Sequence, residues 1–127
     1  MPHAWAAAGY ATLVREMLVS ERGGALELFT GVPDWWLGAE QSIGLENAPT
    51  HFGPLTLHTE SEVQQSEAGW DGLLTITLSG AAPPEGFRWR LPQLPAAMDG
   101  PPGTAVRDGQ LLVPAPGGTV QLTFAGG

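Results

Sequence analysis

The sequence predicts a mainly β protein: an antiparallel β-sandwich of jelly-roll or Greek-key type, with seven or eight short strands preceded by one N-terminal α-helix. Three observations point there. From about residue 25 onward, apolar residues recur with a period of two, the side-chain alternation of half-buried strands. The prolines gather at 83–84, 92–95, 101–102 and 114–116, between those runs, where a missing N–H interrupts no ladder. Only the stretch from about Ala4 to Val19 carries a helical period.

In that stretch Ala6, Tyr10, Leu13, Val14 and Met17 form one apolar stripe at spacings of three and four. Trp5 falls opposite the stripe, near Gly9, Thr12 and Glu16, which gives the helix two contact faces. The "ERGG" that follows supplies a glycine where a helix end expects one. The expected division is therefore a helix over 1–22 packing on a sandwich over 23–127, within a single domain. Strands follow in order. Leu26 and Leu28 flank Glu27, a weaker strand covers Ile43 to Glu46, Leu55 and Leu57 flank Thr56, and Leu74, Ile76 and Leu78 alternate with threonines. "FRWRL" places Phe87, Trp89 and Leu91 inward and Arg88 and Arg90 outward, where the arginines are expected to pair with carboxylates on neighbouring strands. Short runs at Thr104 to Val106 and Leu111 to Val113 precede the last strand, Val120 to Phe124. Asp71-Gly72 and Asp108-Gly109 read as turn dipeptides, the second as a tight hairpin.

Composition limits the functions open to such a fold. A chain of 127 residues with 43% hydrophobic and 14% charged residues is one globular domain, able to bury about two-thirds of its unfolded surface. Thirteen acidic residues face five arginines and no lysine, for a net charge of −8. Nucleic acid and anionic membranes are poor partners for that balance, because affinity for phosphates rests on basic side chains. The absence of cysteine removes disulfides, thiolate nucleophiles and cysteine-ligated zinc, and leaves the compartment open. The apolar start lacks a basic leader, and Arg15 and Glu16 end it short of the ~20 residues of a membrane span. A soluble protein with no cofactor is expected.

The segment "GVPDWWLGAEQSIGLENAPTHFGP" concentrates the residues that carry chemistry. Trp35 or Trp36 could stack on a sugar ring, with Asp34, His51 or Glu60 accepting hydroxyl hydrogen bonds; adjacent tryptophans point in different directions, so burial of at least one competes with that reading. Asp34 and Glu40 could be imagined as a glycosidase pair, which needs two carboxyls roughly 5–10 Å apart, yet their spacing does not single them out among thirteen acids. His51 and His58 could bind a metal with Glu60, since His58 and Glu60 project from one side of a strand, but the ligand count falls short of a closed site. No serine-nucleophile elbow or phosphate loop is present.

The opening half also carries a resemblance. Pro2, His3, Trp5 and Ala6 fit a P-H-x-W-A helix motif, Val32, Pro33, Trp36 and Leu37 a V-P-x-x-W-L turn, and Asn47 to Pro54 an N-A-P-T-x-F-G-P segment. In these the chain resembles the C-terminal part of bacterial six-hairpin glycosidases, whose (α/α)6 catalytic barrel is followed by a small β-sandwich. Phe87 to Pro92 and Val106 to Gly109 look like that family's late L-R-x-P strand and V-x-x-N/D-G hairpin. The resemblance implies an accessory module of a carbohydrate-active enzyme. The family's catalytic carboxylates belong to the barrel, so none is carried over and the expectation leans away from an enzyme, with a small sandwich-fold enzyme using His51 and His58 as a second alternative. It further implies a partner for Trp5, Gly9, Thr12 and Glu16: a catalytic barrel or, in the chain by itself, a second copy in a homo-oligomer, expected as the commonest kind, a dimer. A polysaccharide is the alternative partner.

Overall fold

A computed structural model describes residues 19–32, 34–39 and 41–126. The helix expected over Ala4 to Val19 falls almost wholly outside them. The last residues of the 1–22 segment assigned to that helix, 19–22, are strand instead: Val19–Arg22 (β1) pairs antiparallel with Ala25–Leu28 (β2) through a turn at Gly23-Gly24. The glycines that read as a helix stop are thus a hairpin turn, with Gly23 at φ +62°. After a single 3₁₀ turn over Asp34–Leu37 come Ser42–Ala48 (β3), Leu55–Ser61 (β4), Gln64–Ser66 (β5), Gly69–Ser79 (β6), Phe87–Arg90 (β7), Ala97–Asp99 (β8), Ala105–Arg107 (β9), Gln110–Val113 (β10) and Gly118–Ala125 (β11).

These strands form two sheets, the sandwich expected. Sheet A has the order β1-β2-β7-β10-β9, and sheet B the order β3-β4-β6-β11-β8 with β5 beside β6. One joint departs from the antiparallel expectation. β2 and β7 run parallel and pair at only two positions, Leu26 with Phe87 and Glu27 with Arg88, before diverging.

The alternation anticipated from period two decides which residues meet. Leu26, Leu28, Phe87, Trp89, Leu111 and Val113 of sheet A face Leu55, Leu57, Leu74, Ile76, Leu78, Val120, Leu122 and Phe124 of sheet B, and all are buried. The aromatic rings pack edge to face, Phe29 on Trp89 at 5.0 Å and Trp70 on Phe124 at 5.3 Å.

Asp71-Gly72 is not a turn. β4, β5 and β6 form one long hairpin in unbroken register, from Thr56 opposite Ser79 to Ser66 opposite Gly69, with its turn at Glu67 and Ala68. Gly72 lies within β6 at φ +129°, and a Cβ there would sit 2.3 Å from the Glu62 carbonyl oxygen. Glycine is required by close approach of two backbones rather than by a reversal. Asp108-Gly109, by contrast, is the expected tight hairpin turn between β9 and β10, both residues at positive φ (52° and 76°).

Gly72→Ala should therefore lower stability by about 2 kcal/mol or more, since it adds both a clash and a disfavoured φ. Gly23→Asn, where a Cβ meets nothing within 4 Å, should cost less than about 1 kcal/mol because asparagine tolerates left-handed φ. Urea unfolding of the two variants checks the contrast.

Candidate functional site

The segment from residue 31 to residue 54 connects the two sheets, and three of its parts are tied down by specific bonds. Its first part is the 3₁₀ turn that carries Asp34, Trp35 and Trp36 and delivers Leu37 into the core at 2% exposure. Ser61 at the end of β4 donates through Oγ to the Leu37 carbonyl at 2.6 Å, while its Oγ accepts from the Val63 N–H at 3.1 Å. Ser61 is itself buried. One hydroxyl thus satisfies a loop carbonyl and a strand amide that the interior would otherwise leave without partners. Gln65 adds a brace from β5, its Nε2 donating to the Asp34 carbonyl at 2.7 Å.

The middle of the segment is β3, whose ladder with β4 breaks between Leu45 and Ala48. Asn47, at φ 50°, sits in that irregularity, and its N–H donates to Thr56 Oγ1 at 3.2 Å. The last part is the turn before β4. Thr50 holds it, its Oγ1 donating to the Gly53 carbonyl at 2.7 Å and accepting from the Phe52 N–H at 3.0 Å. His51 then reaches across to β1: its N–H donates to Glu21 Oε1 at 2.8 Å, and its Nδ1 donates to Glu21 Oε2. His51 therefore joins the sheet B loop to the edge of sheet A.

Three depressions receive the candidate residues. A cleft of about 480 Å³ opens where β2 and β7 diverge, walled by Asp34, Leu37, Phe29, Trp89, Arg88 and Arg90. A second depression of about 480 Å³ lies on β3, β4 and β6 and is lined by Glu60 with Ser42, Glu62 and Thr75. A third, of about 340 Å³, is formed by His51, Glu21, Pro49 and Thr50. Asp34 and Trp36 share the 3₁₀ turn, and Trp36 is half-buried there. His51 and Glu60 line depressions of their own, so Asp34, Glu60 and His51, considered together as polar contacts of a sugar site, line three different clefts, while the Trp35 side chain lies outside what is described.

His58 and Glu60 do share the outer side of β4, as the alternation required, but His58 Nε2 lies 3.7 Å from Glu46 Oε1, and His51 is engaged by Glu21. Among the described residues no group of three or more histidines and carboxylates stands close enough to hold a metal. Glu40 of the imagined carboxyl pair lies outside the described residues, as do the proposed contact residues Trp5, Gly9, Thr12 and Glu16. The arginines of β7 also differ from expectation. Glu27 stands opposite Arg88 in register but lies 2.6 Å from Arg22 Nε, while Arg88 reaches Glu85, on the turn three residues earlier, at 3.3 Å.

Comparison of the chain with protein-family models, with curated proteins and with solved structures finds no match.

The bonds of the connecting segment have a direct test in stability. Leu37→Ala should cost about 2–5 kcal/mol as a core truncation, and Ser61→Ala about 1–3 kcal/mol by stranding the Leu37 carbonyl and the Val63 amide. His51→Ala, whose side chain is 87% exposed, should leave the unfolding midpoint nearly unchanged. Chemical denaturation of the three variants ranks them.

Proposed function

We propose that this chain is a non-catalytic accessory β-sandwich of jelly-roll type, the module that follows the catalytic barrel in the six-hairpin glycosidases its first half resembles. The observation that carries the reading is the use to which the chemistry-bearing segment is put. Leu37 fills the core, Ser61 and Gln65 bind the backbone of the 3₁₀ turn, and His51 spans the two sheets through Glu21. In this segment the His51 side chain is engaged by Glu21 and the Asp34 backbone by Gln65, and Asp34, Glu60 and His51 are spread over separate depressions rather than converging on one reacting point.

A module of this kind works by packing against a larger neighbour. In the chain by itself, the residues opposite the N-terminal apolar stripe, Trp5 with Gly9, Thr12 and Glu16, supply a second contact face, and self-association into a dimer covers it.

Purified protein assayed against aryl glycosides and plant and bacterial polysaccharides should show no turnover. Hydrolysis that falls at least about tenfold in Asp34→Asn or Glu60→Gln, with folding intact, would contradict the module reading. Sedimentation velocity should show a dimer for the parent chain and a monomer for Trp5→Ala; a parent monomer at high micromolar concentration removes the self-association.

A further inference from the structure

We propose that the outer face of sheet A is a docking surface for an acidic protein partner, whose carboxylates are received by Arg88, Arg90 and Arg107. Strand register establishes the face. Ser20 is opposite Glu27, Glu27 opposite Arg88, Arg88 opposite Leu112 and Leu112 opposite Ala105, so these five point to one side; Arg90, Gln110 and Arg107 form the next row on that side. Arg22, opposite Ala25, belongs to it as well. The partners that point the other way, Leu26, Phe87, Trp89 and Leu111, are core, which fixes this side as outward.

All four arginines among the described residues therefore lie on one face of one sheet. The outward side of sheet B carries Glu60, Asp71 and Asp99 among threonines and has no arginine among the described residues. In a chain of net charge −8, this segregation sets a local sign opposite to that of the whole molecule. Two of the four are answered within the fold, Arg22 by Glu27 and Arg88 by Glu85. Among the described residues Arg90 and Arg107 have no ion-pair partner, and both are exposed, two strands apart and thus about 10 Å from each other.

The chemistry of the face selects its partner. With no lysine in the chain, every side-chain cation is a guanidinium, whose planar fork takes a carboxylate through two parallel hydrogen bonds. Leu112 and Ala105 lie in the row beside Arg88, giving a partly apolar centre with charges around it, and arginine is the charged residue that protein interfaces enrich. At the β1–β2 end of the face Ala25 is buried, and the exposed cations without an ion-pair partner among the described residues lie on β7 and β9, spread over a surface rather than enclosed, so affinity has to come from area, which a protein surface supplies. This deepens the accessory-module reading, on which it rests for the role of the partner, by naming the face that meets the companion and the charge the companion presents.

Poly-L-glutamate serves as a probe acidic polypeptide, titrated into the 127-residue chain at about 20 mM salt and followed by amide chemical shifts. The whole-molecule charge predicts repulsion. The proposal predicts binding, with shifts confined to β7, β9 and β10, lost at about 0.5 M salt. The combined variant Arg88→Gln, Arg90→Gln, Arg107→Gln should weaken it about tenfold or more, and its unperturbed spectrum elsewhere reports intact folding. No binding by the parent chain overturns the proposal, with the face then covered by residues 1–18 or a second copy. Concentration-dependent sedimentation that disappears in the arginine variant assigns it to the second copy. Shifts on sheet B, or binding indifferent to the three substitutions, overturn it equally. Glycoside hydrolysis by the chain would remove the module reading and leave the binding result standing.

Discussion

The structure depends on one apolar layer between two sheets and on how its margin is closed. Neither sheet can remain in water without the other, because the inward residues of both are leucine, valine, isoleucine and aromatic side chains with almost no accessible surface. The strands alone do not close that layer. Leu37 from the 3₁₀ turn, Val63 from the interrupted part of the long hairpin, and Phe29 and Ala81 from loops complete it. Once loop residues take part in the core, their backbone polar groups enter the interior too and need partners there. Ser61 meets that need with one hydroxyl.

This constraint accounts for the character of the segment between β2 and β4. A connection that only bridged two sheets could be mobile and free to evolve a site on its surface. A connection that supplies Leu37 to the core and His51 to the edge of sheet A has its conformation dictated by folding. The short parallel contact of β2 with β7 follows from the same geometry: after Glu27 the chain leaves the sheet through Phe29, at φ 58°, to carry the 3₁₀ turn across the end of the sandwich. The cleft between β2 and β7 is the space that departure leaves. The arginine-bearing outer face of sheet A is independent of this closure, since its residues point away from the core.

How much of this was legible in the sequence differed by element, for physical reasons. Leu55 to Leu57, Leu74 to Leu78, Phe87 to Leu91 and Val120 to Phe124 announced themselves because one face of each is buried, and burial writes period two into a strand. Gln64–Ser66 and Ala97–Asp99 carry no such pattern; they are strands because Gly69–Asp71 and Gln121–Thr123 offer them ladders. Val19–Arg22 follows directly on a helical stripe, and its four residues cannot show locally that β2 will pair with them. Gly72 was misread because a glycine demanded by close backbone approach looks the same in sequence as one demanded by a turn.

The candidate site shows the same limit more sharply. The tryptophans, histidines and acids were visible as residue types, but their convergence or dispersal is a property of topology. Ser61, which turned out to hold the segment, gave no signal, since its partner Leu37 is 24 positions away and accepts through its backbone. Arg88 and Arg90 could be placed outward from the FRWRL alternation, whereas Arg22 and Arg107 join their face only through strand order.

Native-state hydrogen exchange tests most directly whether the connecting segment belongs to the folding unit. The Ile43 amide of that segment, bonded to Thr59 Oγ1, should exchange with the same opening free energy as the central amides of β6 and β11, so that it opens only when the whole domain unfolds. If Ile43 instead exchanges orders of magnitude faster than those strands while they stay protected, the segment opens by itself, and the account of it as a core closure is wrong.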